Sequence, residues 1–144
     1  PVTNSKGKFS GKTIRYLSHK NVKLNITAVY TVQQTIKIIR NLNKKTKSII
    51  SIFAGRMSDV GKDPVPIFKK CVKLSKKYNK IQILWASTRE PYNFIQANQI
   101  DCDIITMPAG IIEKVSKFGK SFQSLTVDTV KKFLIDSEES NFKL

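Results

Sequence analysis

Cysteine, histidine and long apolar runs are all scarce in this sequence of 144 residues. Its two cysteines, Cys71 and Cys102, are too few for a disulfide scaffold and are expected to be small core residues. The single histidine, His19, leaves no Cys/His cluster for a structural zinc ion, so no metal site is predicted. No stretch approaches the ~18 uninterrupted apolar residues of a membrane-spanning helix. With 40% hydrophobic residues the chain can pack a core, which predicts one domain or a piece of a larger one.

Acidic residues are absent from the first 58 positions, which contain nine Lys and three Arg. Residues 59–144 hold all ten acids, and the formal net charge of the chain is +16. Such a balance fits a polyanionic partner, such as a nucleic acid. However, the lysines are scattered and do not alternate with aromatic residues as on a base-stacking surface. We therefore favour a Lys-rich solvated surface, and a basic α/β module that binds nucleic acid stays as the alternative.

Clustered glycines are also missing, since the six glycines are dispersed along the chain. Neither G-x-G-x-x-G nor G-x-x-x-x-G-K-[ST] occurs, so the phosphate-binding loops of nucleotide-binding folds are not predicted.

Four β-rich runs alternate with helical periodicity. Strands are expected at 24–30, 48–53, 82–86 and 104–107, and helices at 11–19, 32–42, from Asp63-Pro64 onward, 91–97, 110–118 and 127–136. The last eight residues are expected to form a frayed polar tail. This alternation is typical of parallel strands with right-handed crossovers. Two α/β architectures fit it, a doubly wound sheet and a partial (β/α)8 TIM barrel, because a full barrel needs roughly 200–250 residues.

Two of the four arginines, Arg56 and Arg89, follow predicted strand ends, where reactive groups collect in both architectures. Guanidinium binds phosphate bidentately in a way that lysine cannot imitate. With Ser87 they are predicted to bind a phosphate monoester. The other interpretation, equally open, is that each arginine pairs with a neighbouring acid such as Asp59 or Glu90.

Polar residues also interrupt the apolar runs of two strands. Asn25 and Thr27 share one face of the first strand, and Ser51 lies near the end of the second. Buried polar groups need partners. A bound sugar or a catalytic water is one candidate, and a hydrogen bond to the neighbouring backbone is the other.

Three strings carry a family resemblance: LNITAVY at 24–30, FAGR at 53–56 and WASTR at 85–89. In this order and spacing, followed by Ile105-Thr106-Met107-Pro108, they resemble the transaldolase family, whose fold is a (β/α)8 barrel. The resemblance implies that residues 1–136 are the carboxyl-terminal half of such a barrel, strands five to eight with their helices. Residues 137–144 would be the polar tail.

The resemblance also implies a mechanism without a metal or organic cofactor. A lysine forms a Schiff base with a ketose phosphate and passes a dihydroxyacetone unit to an aldehyde acceptor, as in the pentose phosphate pathway. By position, Asn25 would hydrogen-bond the intermediate, Thr27 would orient the catalytic water, Ser51 would contact substrate hydroxyls and Phe53 would wall the pocket. The substrate phosphate would be bound by Arg56, Ser87 and Arg89.

The family also contains fructose-6-phosphate aldolases, which release dihydroxyacetone as lyases. Those enzymes resemble a pattern with Tyr at position 53, Lys at position 89 and no Asn at position 25. Phe53, Arg89 and Asn25 therefore favour the transferase, and the lyase stays as an alternative.

The start of the chain, Pro1-Val2-Thr3-Asn4, resembles the continuation of the family's Lys-(Ile/Val)-Pro string. The Schiff-base lysine would then fall two residues before Pro1. The sequence therefore predicts a fragment that is inactive alone and whose parent is the enzyme. The parent is expected to be a cytoplasmic homo-oligomer that acts on sugar phosphates and binds no membrane. The fragment is expected to expose unpaired sheet edges at 24–30 and 104–107.

Overall fold

Helices and strands alternate along residues 1–140, the part of the chain that the computed structural model describes. Their order is α1 Gly11–His19, β1 Leu24–Val29, α2 Val32–Asn41, β2 Ser48–Phe53, α3 Ala54–Ser58, α4 Val65–Ser75, β3 Ile81–Ala86, α5 Tyr92–Gln99, β4 Ile104–Ile105, α6 Ala109–Val115 and α7 Phe122–Glu139.

The strands form one parallel sheet in the order β1-β2-β3-β4. The α/β class and the parallel pairing expected from the alternation are confirmed. Each strand lies beside its neighbour in sequence, and a helical crossover connects successive strands. The carboxyl ends of the strands therefore lie along the same edge of the sheet.

One face of the sheet carries the core. Ile26, Ile50 and Ile83 lie level across β1, β2 and β3, and Ile52 lies level with Trp85. All five are buried and belong to one apolar cluster with the buried residues of the helices. Those helix residues are Ile14, Ile38, Ile39, Phe68, Cys71, Val72 and Ala97.

Local signals fix two of the helix starts. Thr31 caps α2 in a capping box, accepting a hydrogen bond from the Gln34 amide at 3.1 Å while the Gln34 side chain accepts one from the Thr31 amide at 3.0 Å. Before α4, the Asp63 carboxylate accepts a hydrogen bond from the Val65 amide at 2.9 Å. Both starts follow the sequence prediction.

A β-bulge interrupts β1 close to its carboxyl end. Ile26 pairs with Ile50 and Val29 with Ile52, so Thr27 and Ala28 together oppose Ser51. Ala28 has φ +59°, in the left-handed region that residues with a β-carbon seldom adopt. At the same place the Val2 amide donates to the Thr27 carbonyl at 2.9 Å, and Val2 is buried. The edge of β1 is therefore partly covered, which differs from the expected unpaired edge.

Several predicted boundaries are wrong. The helix α3 was not expected, because five residues are too few to show helical periodicity. The fourth strand is only Ile104–Ile105, and α7 starts at Phe122 and continues to Glu139. Of the predicted tail, residues 137–139 are helical and residues 141–144 lie outside the described part.

Candidate functional site

The face of the sheet opposite the core carries the predicted site residues of the strands. Side chains alternate between the two faces, so Asn25 and Thr27 lie opposite the buried Ile26. Ser51 and Phe53 lie opposite Ile52 in the same way. The structure therefore brings all four predicted residues of β1 and β2 to one face. Thr27, Ser51 and Phe53 lie in the carboxyl-terminal halves of their strands. The expected place of Asn25 at a strand end is wrong, because Asn25 is the second residue of β1 and lies level with Ile49, near the amino end of β2.

Asn25 and Ser51 form a direct pair across β1 and β2. The Ser51 hydroxyl donates to the Asn25 Oδ1 at 2.6 Å. Ser51 is buried, whereas Asn25 is exposed. This contact satisfies the buried hydroxyl without the backbone and fixes the orientation of the Asn25 amide. Its Nδ2 donors are not used by Ser51 and remain available to a hydrogen-bond acceptor.

At the end of β2, Phe53 contacts both Tyr30 and Arg56. The Phe53 ring makes an edge contact with Tyr30, with centroids 6.0 Å apart. The Arg56 guanidinium carbon lies 5.8 Å from the Phe53 centroid, within the range of a cation–π contact. In the described part of the chain, Arg56 makes no side-chain hydrogen bond or ion pair. Its donors are therefore available to an anion.

Arg89 is paired with the carboxylate of Asp59, which is what one of the two interpretations of the sequence predicted. Its Nε lies 3.2 Å from Asp59 Oδ1 and its Nη2 lies 2.7 Å from Asp59 Oδ2. The hydrogen bond from Arg89, and the positive charges of Arg89 and Arg56, hold the pKa of Asp59 below its usual value. The same hydrogen bond raises the pKa of Arg89. Both arginines therefore act on one carboxylate, although Arg56 lies in α3 and Arg89 in the loop after β3.

Ser87 and Gly55 mark a close approach of two backbones. A β-carbon at Gly55 would lie 1.8 Å from the Ser87 carbonyl oxygen and 2.7 Å from Arg89 Cγ. Ser87 has φ +64°, a backbone conformation that is uncommon for residues other than glycine and that collects at functional sites. Because Gly55 has no side chain, α3 packs directly against the loop that follows β3, and Arg56 and Arg89 approach the same region.

Two residues that the sequence did not single out hold this loop. The Asn93 Oδ1 accepts hydrogen bonds from the amides of Arg89 at 3.0 Å and Glu90 at 3.3 Å. The Thr88 hydroxyl donates to the Thr106 carbonyl at 2.7 Å and ties the end of β3 to the end of β4. Asn93 and Thr88 are both buried. The sequence offers one weak signal for such a contact, an Asn that follows closely after Arg89 and Pro91.

Gln82 is a further polar residue on the site face. Both Gln82 and Asn25 pair with Ile49 of β2, which lies between them, so the two residues are level across the sheet. The Gln82 Oε1 is buried and has no hydrogen-bond partner within residues 1–140. Thr27 likewise makes no side-chain hydrogen bond within those residues. This polar surface therefore retains hydrogen-bonding capacity.

The cysteines lie away from this chemistry, as expected for core residues. Burial raises the pKa of Cys102 to about 11 and also raises that of Cys71. A thiol with a raised pKa is a poor nucleophile at neutral pH.

No group of three or more His, Cys, Asp or Glu side chains within the described residues could hold a metal ion. Within those residues no helix is long and apolar enough to cross a membrane.

An α/β fold with polar and basic residues at the carboxyl ends of parallel strands is typical of domains that bind ligands at that edge of the sheet. The family model described as "Transaldolase/Fructose-6-phosphate aldolase" matches residues 1–144. This chain belongs to that family. The resemblance drawn from the three sequence strings is thereby confirmed.

Curated relatives give the same assignment. A "Probable transaldolase" of Caldicellulosiruptor saccharolyticus is 28% identical over 130 residues, covering 89% of this chain and 56% of its own length. A "Probable transaldolase" of Thermoplasma volcanium is 32% identical over 116 residues, with coverage of 80% and 50%. One of Nitrosopumilus maritimus is 28% identical over 130 residues, with coverage of 89% and 54%. The chain spans about half the length of the curated relatives it matches.

Proposed function

We propose that this chain is the carboxyl-terminal half of a (β/α)8 barrel, strands five to eight, in a Schiff-base transaldolase. The observation that carries the proposal is that Asn25, Ser51 and Phe53 share one sheet face, and that Phe53, at the end of β2, contacts Arg56 in the region that Arg89 also approaches. A ketose phosphate needs polar groups for its hydroxyls and guanidinium groups for its phosphate. The family match over the whole chain supports this set of roles.

The packing of the sheet favours a barrel half over a doubly wound sheet. The buried residues of α1, α2, α4 and α5 form one cluster with only one face of β1, β2 and β3. Leu84 and Ala86, on the other face, are buried but lie outside this cluster. A doubly wound sheet would carry helices on both faces, whereas a barrel turns the second face inward.

The Schiff-base lysine is placed before Pro1 in this proposal. Val2 is buried in the core and its amide donates to Thr27, so the chain entering at Pro1 runs beside β1. In an extended segment, the residue two positions before Pro1 would share a face with Pro1, opposite Val2. That face is the one that carries Asn25 and Thr27. A lysine there would lie beside the residues that we assign to the intermediate.

In this proposal each predicted site residue has its own role in the reaction. The Asn25 amide, oriented by Ser51, donates to an oxygen of the bound intermediate. Thr27 orients the water that relays protons, Ser51 contacts substrate hydroxyls and Phe53 excludes solvent. The substrate phosphate is bound by Arg56, Arg89 and the Ser87 hydroxyl. Phe53 has no phenolic hydroxyl to assist proton transfer to a released product, which favours transfer over the lyase reaction.

Borohydride trapping tests this assignment. The longer protein that contains residues 1–144 should be labelled irreversibly by fructose 6-phosphate and borohydride, because reduction fixes a Schiff base as a secondary amine. The 144-residue chain should not be labelled. Labelling of the chain itself would show that the nucleophile lies within it, and an unlabelled longer protein would contradict the Schiff-base mechanism.

The reaction type is tested with the longer protein and two conditions. With fructose 6-phosphate and erythrose 4-phosphate a transferase forms a new ketose phosphate. With fructose 6-phosphate alone a lyase releases free dihydroxyacetone. Rapid release without an acceptor would decide for the aldolase alternative. The cytoplasmic location, the homo-oligomeric parent and the absence of a nucleic-acid partner remain predictions.

A further inference from the structure

The Asp59 carboxylate contacts only one edge of the Arg89 guanidinium. It accepts from Nε at 3.2 Å and from Nη2 at 2.7 Å, so the contact is side-on and bidentate. A guanidinium group has five N–H donors in a fixed plane. This contact uses two of them and leaves both hydrogens of Nη1 and one of Nη2. The remaining pair at the tip forms a second fork of the kind that binds a phosphate.

The stem of Arg89 is also held. Its Cγ lies so close to Gly55 that a β-carbon there would be 2.7 Å away. Its amide donates to the buried Asn93 at 3.0 Å. The backbone, the stem and the side-on edge of Arg89 therefore each have a contact within the described residues. The tip is the part that remains available.

We propose that Asp59 is a positioning residue, which holds Arg89 side-on so that the guanidinium tip binds the substrate phosphate. The inference rests on the proposed function, because it assumes the phosphate site of Arg56, Ser87 and Arg89. It also joins the two interpretations of Arg89, since pairing with Asp59 and binding a phosphate use different edges of the same group.

Charge and orientation predict opposite effects when Asp59 is neutralised. Asp59 also lies within range of the Arg56 charge, so it adds a negative charge beside the phosphate site. By Coulomb's law alone, Asp59→Asn would strengthen anion binding. If the carboxylate positions Arg89, the same substitution weakens anion binding, because the side chain loses its fixed orientation. A weaker complex is therefore a result that a charge effect cannot produce.

The test is a titration of the 144-residue chain with inorganic phosphate. NMR monitors the Arg89 Nε–H signal during the titration. Asp59→Asn should weaken phosphate binding about threefold, the size expected for a half-exposed ion pair. Asp59→Glu, which keeps the carboxylate, should restore part of the affinity. Asp101→Asn is the matched control, because it removes one exposed carboxylate that makes no side-chain hydrogen bond within residues 1–140. Asp101→Asn should leave phosphate affinity unchanged or slightly raised, because it removes only a negative charge.

The outcomes separate the two proposals. If the wild-type chain does not bind phosphate at millimolar concentration, the phosphate site itself is wrong, and the role of Asp59 is overturned with it. If the wild type binds and Asp59→Asn binds equally or more tightly, only the role of Asp59 is overturned. Should Asp59→Asn fail to fold, the wild-type titration still decides. Retention of the hydrogen-bonded Nε–H signal at saturating phosphate supports positioning, and its loss shows that phosphate displaces Asp59.

Discussion

Gly55 lies where the first turn of α3 packs against the loop after β3. The nearest atom to a β-carbon there would be a backbone carbonyl oxygen, that of Ser87, at 1.8 Å. A backbone atom cannot rotate aside as a side chain can, so a larger residue would push α3 away from the loop. One hydrogen in place of a methyl group therefore decides whether Arg56 and Arg89 can approach the same carboxylate.

Gly55→Ala should lower the free energy of unfolding by about 1–3 kcal/mol, the usual range for overpacking a filled site. It should also weaken phosphate binding, because it separates α3, which carries Arg56, from the loop that carries Arg89. Urea unfolding and a phosphate titration measure the two effects. Gly110→Ala is the matched control, since nothing lies within 4 Å of a β-carbon there. In α6 that substitution should be neutral or slightly stabilising. Equal effects of the two substitutions would contradict the close-approach argument.

The loop between β3 and α5 is organised by the helix that follows it. Asn93, in the first turn of α5, accepts from two amides of the loop and donates its Nδ2 to the Gln96 side chain at 2.9 Å. Asn93 is buried, so its oxygen meets donors that water cannot easily reach. The position of Arg89 is therefore fixed from α5 as well as from Asp59.

Asn93→Ala should destabilise the chain by about 1–3 kcal/mol, because two loop amides lose their acceptor. Asn93→Asp keeps the acceptor oxygen and should lose much less. Asn98→Ala, an exposed Asn on the same helix, is the control and should change stability by less than about 0.5 kcal/mol. Chemical denaturation of the three variants is the measurement. A similar loss for Asn93→Asp and Asn93→Ala would show that the amide donor, rather than the acceptor, matters.

The helices α6 and α7 carry a large apolar surface into solvent. Every residue of α7 is exposed, including Phe122, Val130, Phe133 and Leu134. In α6 Ile112 is exposed as well. Contiguous exposed apolar surface of this kind marks association sites or aggregation liabilities. The short, weakly paired β4 is an edge strand of the sheet, and its open edge adds to this tendency.

We expect the 144-residue chain to self-associate as its concentration rises, and sedimentation velocity measures this. Replacing Val130 and Phe133 with Glu should shift the distribution towards the monomer, because it charges the apolar face of α7. Thr129→Glu, which adds charge to an exposed polar position of the same helix, is the control. A wild-type chain that stays monomeric at high micromolar concentration would contradict the prediction.

The sequence by itself determined the four strands, every helix except α3, the parallel α/β class and the family. Periodicity and caps such as Thr31 act over a few residues, so they are visible before folding. The approach of Phe53, Arg56 and Arg89 was also predictable, because carboxyl ends of parallel strands meet at one edge of a sheet. The same rule failed for Asn25, which lies near the amino end of β1.

Only the tertiary structure decided how those residues are paired. Asn25 and Ser51 are 26 positions apart, and Asp59 and Arg89 are 30 apart, so strand register and loop packing bring them together. The bulge at Ala28 has no sequence signal, because alanine at positive φ is uncommon. The contact at Gly55 depends on the backbone of α3 and the backbone of the loop after β3. Such contacts depend on the packing of distant segments, which local patterns do not encode.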